Sequence, residues 1–199
     1  MPEQQDYLER YTSVKGVVRE ALPFEIVYTI GGVFAGIILV RMTDQIEMIP
    51  GLLVLVPAIL GMRGNISCTL GSRLGSAIHL GLIDKIEHNP ELINNVAGSL
   101  TLSLIMSTVL GILAHLLTIV LGMHSAGIPV LVAIAVFSGV LSGVILSAIA
   151  VVMTIGAFRR GLDPDNITTP ALGTLGDIVT MFMISLSVKV VIWIWHIIP

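Results

Sequence analysis

Long apolar runs separated by short polar segments constrain this chain more than any other feature of its sequence. They cover about residues 24–40, 50–82, 94–122, 128–158 and 170–198. A helix needs about 20 mostly apolar residues to cross a hydrocarbon layer about 30 Å thick. Only 12% of the residues are charged, whereas a soluble domain carries about 25%. We therefore predict an all-α membrane protein with five transmembrane helices.

Residues 1–23 precede the first run and follow a different pattern. Apolar residues recur there at roughly helical spacing among charged residues such as Glu9, Arg10 and Lys15. This pattern is typical of an amphipathic helix that lies on a membrane face. We therefore expect two parts, which are a cytosolic amphipathic N-terminal segment over residues 1–23 and a transmembrane domain of five helices over residues 24–199.

The basic residues predict the orientation of the spans. With a cytosolic N-terminus, only Arg41 among the Lys and Arg residues outside the spans lies on the outer side. The others lie inside, namely Arg10, Lys15, Arg19, Lys85, Arg159 and Arg160. Because this bias follows the positive-inside rule, we expect a multi-pass cell-membrane protein with a cytoplasmic N-terminus and an outer C-terminus. A net charge of −3 and the lack of a basic run indicate no nucleic-acid partner.

One carboxylate lies inside the last apolar run. Between Pro170 and the end of this run, the ionisable side chains are Asp177, Lys189 and His196. If the helix begins at Pro170, Asp177 lies about 10 Å into the hydrocarbon layer. A charge at that depth is costly, so its side chain is expected to face a bundle interior or a water-filled path. The alternative is an Asp that only hydrogen-bonds a neighbouring helix.

The surroundings of this carboxylate favour a cation site. Gly173, one turn before Asp177, lets a second helix approach closely. A carboxylate between close helices is an oxygen ligand for a hard cation, and magnesium is usually held by one or two carboxylates while it keeps several waters. We therefore predict Asp177 as a metal ligand with Gly173 beside it. Asp163 and Asp165 add acidic groups at the cytoplasmic mouth of the same span.

The second apolar run is too long for one straight span. It would extend about 50 Å as a continuous helix. We predict a break where Gly61 and Gly64 flank Arg63 and Asn65 follows, one turn after Pro57. Because irregular backbone at membrane depth is tolerated only where protein or water covers it, this segment indicates a binding path. A glycine kink without function is the alternative.

Two segments resemble one family. Residues 57–65 read PAILGMRGN, which is similar to the P-x-x-x-G-x-x-G-N signature of MgtE-type magnesium transporters. Residues 163–166 read DPDN and residues 176–177 read GD, which is similar to the matching late segment of that family. Arg63 and the SRL triplet at residues 72–74 resemble the animal branch, solute carrier family 41. The resemblance covers nearly the whole chain, as a single transmembrane unit.

The resemblance implies transport of magnesium or a related divalent cation, with magnesium as the transported ion. It also implies a dimer, either of identical chains or of this chain with a paralogous half. Its path would lie at or near the dimer interface and be lined by the second and fifth transmembrane helices. Asp177 matches the cation-binding aspartate of the family, and Gly64 with Asn65 match its pore motif. We expect no enzymatic activity.

Arg63 is a departure from the bacterial members, which tend to have a small residue there. A fixed cation beside a cation path is repulsive unless a carboxylate compensates it. We hypothesise that Arg63 pairs with Asp177 or with Glu25, at the cytosolic edge of the first span, when no ion is bound. Arg63 and Glu25 are therefore candidates for gating or ion pairing. The alternative is that Arg63 caps helix carbonyls away from the path.

Two other functions fit parts of the sequence. Residues 175–177 read LGD, as an intramembrane aspartyl protease would require, but shared-proton catalysis needs a second facing carboxylate. The third and fourth spans contain none. An ion-coupled carrier of another small solute would favour an apolar pocket with aromatic side chains. The spans have few aromatic residues and many glycines, which suits a small ion better.

Overall fold

A computed structural model of the chain describes residues 14–83, 89–160 and 164–197, and the secondary structure within these residues is helical. The prediction of an all-α protein is confirmed. Within the described residues the helices are α1 (Val14–Val40), α2 (Thr43–Met48), α3 (Leu52–His79), α4 (Pro90–Val120), α5 (Ile128–Arg159) and α6 (Pro164–Ile197).

Within the described residues, four helices are long and apolar enough to cross a membrane. They are α3, α4, α5 and the part of α6 over Ala171–Ile194. The protein is therefore a multi-pass membrane protein. α1 adds a shorter apolar stretch, Thr29–Val40. α1 runs without interruption from Val14, so the predicted boundary after residue 23 falls within a helix, and residues 1–13 lie outside the described part.

The predicted break in the second apolar run is wrong, because α3 is a continuous helix through Gly61, Arg63 and Asn65. Pro57 lies inside this helix, where it removes one backbone hydrogen bond. α3 packs along α4, α5 and α6, and such tertiary contacts outweigh the low helix propensity of a few residues. The helix has 28 residues and is about 42 Å long, so tilt of the helix or its extension beyond the hydrocarbon layer accommodates the excess length.

Local sequence explains where two of the helices begin. The side chain of Asn89 accepts a hydrogen bond from the backbone nitrogen of Leu92 at 3.1 Å, and Pro90 suits the first turn of α4 because it needs no amide donor there. Gly51 precedes α3 with φ of 100°, a conformation that favours glycine. α6 begins at Pro164, earlier than the predicted start at Pro170.

α3, α4, α5 and α6 form a four-helix bundle. Within it, α3 and α5 each pack against the other three helices. α1 packs on α6. The bundle of α3 to α6 therefore carries α1 on its α6 side.

Two apolar clusters fill the two ends of this bundle. The first joins the start of α3 and α5 to the end of α6, with Leu52, Leu131 and Ile184 fully buried. The second joins the end of α3 to the starts of α4 and α6, through Leu74, Leu92 and Leu172. Between the clusters, α3, α4 and α5 bury a set of polar side chains that we call the polar layer. It consists of Arg63, Ser67, Ser99, Ser103, Ser107, Ser138, Ser142 and Ser147.

Candidate ion path

Asp177 lies on α6 at the level of the polar layer. Leu172 before it belongs to one apolar cluster and Met181 after it belongs to the other. The Asp177 side chain is half-buried. Of the described residues in the candidate spans, it is the only carboxylate at this level. The prediction that this carboxylate lies deep within a span therefore agrees with its position along α6.

Two helices flank this carboxylate. On one side, Thr174 and Ile178 of α6 face Gly31 of α1, and a Cβ on Gly31 would overlap the Thr174 side chain. This close approach is the kind that small residues permit between helices in lipid. On the other side, Asp177 lies within electrostatic range of Cys68 on α3. Asp177 therefore lies on the side of α6 between α1 and α3.

α3 presents a stripe of small and polar residues that no other described helix covers, which we call the α3 stripe. Its members lie on one side of the helix and are exposed or half-exposed, namely Gly61, Gly64, Asn65, Ser72 and Ser76. A Cβ built on Gly61 or Gly64 would meet no atom within 4 Å. Lipid offers polar groups no hydrogen-bond partners, so this stripe is better suited to water or to another protein surface.

The structure separates two residues of the predicted pore motif. Gly64 lies one turn before Cys68 and therefore on the side of α3 that faces Asp177. Asn65 lies at the α4 edge of the α3 stripe, where it lines a cavity between α3 and α4. Gly173 is half-buried one turn before Asp177. Asp163 lies outside the described residues, and so do the side chains of Asp165 and Glu25.

Arg63 is almost completely buried, with 1% of its surface exposed. Its guanidinium donates hydrogen bonds to the Ser103 hydroxyl of α4 at 2.5 Å and to the Ser67 hydroxyl at 3.1 Å. Gly143 of α5 makes room for it, since a Cβ there would lie 3.2 Å from Nη1. Among the described side chains, Nε has no hydrogen-bond partner.

The hypothesised ion pair between Arg63 and Asp177 is not formed in this structure, because the terminal nitrogens of Arg63 bond serine hydroxyls. The other hypothesised partner, Glu25, has its side chain outside the described part. The alternative, that Arg63 caps helix carbonyls, also differs from these contacts. The Arg63 guanidinium is thus held by hydroxyl acceptors from two helices. The sequence had instead suggested a carboxylate or the carbonyls at a helix end as its partner.

The buried serines of α4, among which Ser103 binds Arg63, were not among the predicted site residues. Ser99, Ser103 and Ser107 recur every four residues along α4, which places them on one face of the helix. That spacing is the signal that could have identified them. Across the described part of the chain, no group of three His, Cys, Asp or Glu side chains is placed to hold a metal ion.

These features define a polytopic α-helical membrane protein with a half-buried carboxylate inside its last span and an uncovered stripe of small and polar residues along α3. Residues 56–187 match the MgtE family, which is described as a divalent cation transporter. The matched range includes the α3 stripe, the polar layer and Asp177. The chain belongs to the MgtE family, as the sequence motifs predicted. The members of this family are transporters and not enzymes.

Curated relatives agree with this assignment. Solute carrier family 41 member 2 from Gallus gallus and from Homo sapiens are each 32% identical to the chain over 167 residues, which is 78% of this chain and 28% of the relative. Solute carrier family 41 member 3 from Rattus norvegicus is 33% identical over 141 residues, which is 68% of this chain and 30% of the relative. The chain thus spans under a third of their length. No solved structure matches it.

Proposed function

We propose that this chain transports magnesium or a related divalent cation through a path that two chains form between them. In this proposal α3 and α6 line the path, and Asp177 is the ion ligand. The observation that carries the proposal is the half-buried Asp177 carboxylate inside the last span, beside the uncovered α3 stripe. The description of the family supports a divalent cation as the cargo.

The chemistry of the ion is compatible with the proposed dimer. A divalent cation such as magnesium is commonly held by one or two carboxylates together with several waters. A two-fold axis along the α3 stripe would bring together one Asp177 from each chain. Gly64 and Gly173, which carry no side chain, leave room for the hydration shell. The second chain would be an identical copy or a paralogous half.

We also propose that α1 is a fifth span. Its apolar stretch Thr29–Val40 packs on α6, and its N-terminal part extends the helix to Val14. With residues 1–23 on the cytosolic side, the positive-inside rule places Arg159 and Arg160 in the cytosol and the C-terminus outside. Asp163 and Asp165 would then lie at the cytoplasmic mouth of the path.

The experiment that tests this proposal is magnesium uptake into liposomes that contain the purified chain and a fluorescent indicator. Asp177→Asn keeps the shape of the side chain and removes its charge, so we expect loss of uptake with unchanged expression and gel-filtration behaviour. The matched control is Asp44→Asn, which alters an exposed carboxylate on α2 and should leave uptake at the wild-type rate. Wild-type uptake by Asp177→Asn would contradict the proposed ligand.

A further inference from the structure

A second polar site lies on the α4 side of α3. A cavity of about 260 Å³ opens there between the two helices. Polar residues from both helices line it, including Asn65, Thr69 and Arg73 of α3 and Asn94 and Ser99 of α4. We call it the Arg73 cavity. It is separate from the side of α6 that carries Asp177.

The electrostatic character of this cavity is positive. Arg73 is the one charged residue among those that line it, and none of them is a carboxylate. Its Nε donates a hydrogen bond to Oδ1 of Asn95 at 2.6 Å. Asn95 in turn donates to the carbonyl oxygen of Glu91 at 2.8 Å. The guanidinium is thus held in place through Nε, while its terminal amino groups have no acceptor among the described side chains.

An unpaired hydroxyl adds to these donors. Ser99 is 6% exposed, and its Oγ has no hydrogen-bond partner among the described residues although it is buried. A buried polar group without a partner is unfavourable, because it has lost its hydrogen bonds to water. The amide of Asn94 is exposed on the same wall. A ligand with several acceptor oxygens and a negative charge would satisfy this arrangement.

The remaining walls and the depth of the cavity indicate where that ligand comes from. Ile66, Leu70 and Leu102 complete the lining with apolar surface. Arg73 lies about 9 Å from the end of α3, and α3 is about 12 Å longer than the hydrocarbon layer. Arg73 therefore lies near the boundary between acyl chains and head groups. Basic pockets between spans at this level bind anionic head groups.

We propose that the Arg73 cavity binds the phosphate head group of an anionic phospholipid. Arg73 supplies the charge-assisted hydrogen bonds, Asn94 and Ser99 supply further donors, and the apolar walls contact the glycerol and the first part of the acyl chains. Free inorganic phosphate would match only the polar half of this surface, whereas a lipid matches both halves.

The test is a lipid titration of the purified full chain in detergent, followed by thermal unfolding and by native mass spectrometry. Phosphatidylglycerol should bind more tightly than phosphatidylcholine. Arg73→Gln should weaken phosphatidylglycerol binding about tenfold, because a charge-assisted hydrogen bond is lost. The matched control is Arg159→Gln, which removes an exposed arginine at the same end of the bundle but outside the cavity. The Arg159→Gln variant should still bind phosphatidylglycerol more tightly than phosphatidylcholine.

A second variant tests the cavity without changing any charge. Leu102 is 53% exposed, so Leu102→Trp can fold while its ring fills the cavity, and phosphatidylglycerol binding should fall as it does for Arg73→Gln. Equal affinity for the two lipids, or equal losses in Arg73→Gln and Arg159→Gln, would overturn the proposal. Stabilisation by inorganic phosphate equal to that by phosphatidylglycerol would also overturn it in favour of a free anion.

Discussion

At the scale of single residues, Arg63 is the most unusual group in the bundle. A guanidinium that is 1% exposed has lost its water and has gained two hydroxyl acceptors. A buried charge without a counter-charge is unfavourable, and replacement of buried ionic groups by apolar side chains of similar volume is often neutral or stabilising. Arg63 therefore contributes charge to the centre of the membrane domain at a cost in stability.

This reasoning gives opposite predictions for two substitutions of Arg63. Arg63→Met keeps most of the volume and removes the charge, while the Ser103 hydroxyl keeps its bond to the Ser99 carbonyl at 2.7 Å. We expect its thermal unfolding temperature in detergent to equal or exceed that of the wild type. Arg63→Ala leaves a cavity beside Gly143 and should lower the free energy of unfolding by about 3 kcal/mol.

The control for this pair is Arg41→Ala, at an exposed position after α1, which should change the free energy of unfolding by less than about 0.5 kcal/mol. A loss of stability in Arg63→Met as large as that in Arg63→Ala would show that the charge itself stabilises the fold. In that case a counter-charge must be sought, and Glu25, the second hypothesised partner, is the first candidate.

At the scale of helices, the contact between α4 and α5 depends on glycines. A Cβ on Gly111 of α4 would lie 2.6 Å from Cα of Val132 on α5. Backbone cannot move aside as a side chain can, so the two helices would have to separate. Gly139 of α5 faces Ser107 of α4 in the same way, and a Cβ there would overlap the serine hydroxyl. Small residues thus set the distance between these two spans.

We therefore predict that Gly111→Ala destabilises the bundle by about 1–3 kcal/mol, as overpacking does. The matched control is Gly156→Ala on α5, where a Cβ would meet no atom within 4 Å. That variant should be neutral or stabilising by up to about 1 kcal/mol, because alanine favours the helix. Thermal unfolding in one detergent compares the two, and equal effects would contradict the proposed contact.

At the scale of the whole molecule, the polar layer is buried inside the bundle, where Ser99 also lines the Arg73 cavity, while the α3 stripe faces outward. The serines and Arg63 of the layer are covered by neighbouring helices. By contrast, Asn65, Ser72 and Ser76 are exposed along α3. Polar side chains on the outer surface of a membrane-spanning bundle are expected to contact water or another chain, because lipid offers them no hydrogen-bond partners. The proposed two-fold interface along the α3 stripe provides both.

Cysteine crosslinking tests this interface. Cys68 is the single cysteine, so Cys68→Ser supplies a cysteine-free background. In that background, Gly61→Cys should form a disulfide-linked dimer in membranes after mild oxidation, because Gly61 lies on the α3 stripe. Leu104→Cys is the control, since Leu104 is exposed on α4 at a similar depth beside Ser103. Equal crosslinking at both positions, or none at Gly61, would contradict the interface.

Much of this arrangement could be predicted from the sequence. The apolar runs identified α3, α4, α5 and most of α6, because hydropathy acts within each span and needs no knowledge of its neighbours. The same local reasoning placed Asp177 deep within the last span, and two short motifs were sufficient to identify the family.

Other features were decided only by the tertiary structure. The continuity of α3 past Gly61, the serine partners of Arg63 and the position of Asn65 toward α4 all depend on which helix lies against which. Helix pairing results from close packing between residues that are far apart in the chain, such as Gly111 and Val132. A single sequence records the period of each helix face, but the face that meets a given neighbour is determined by the packing of the whole bundle.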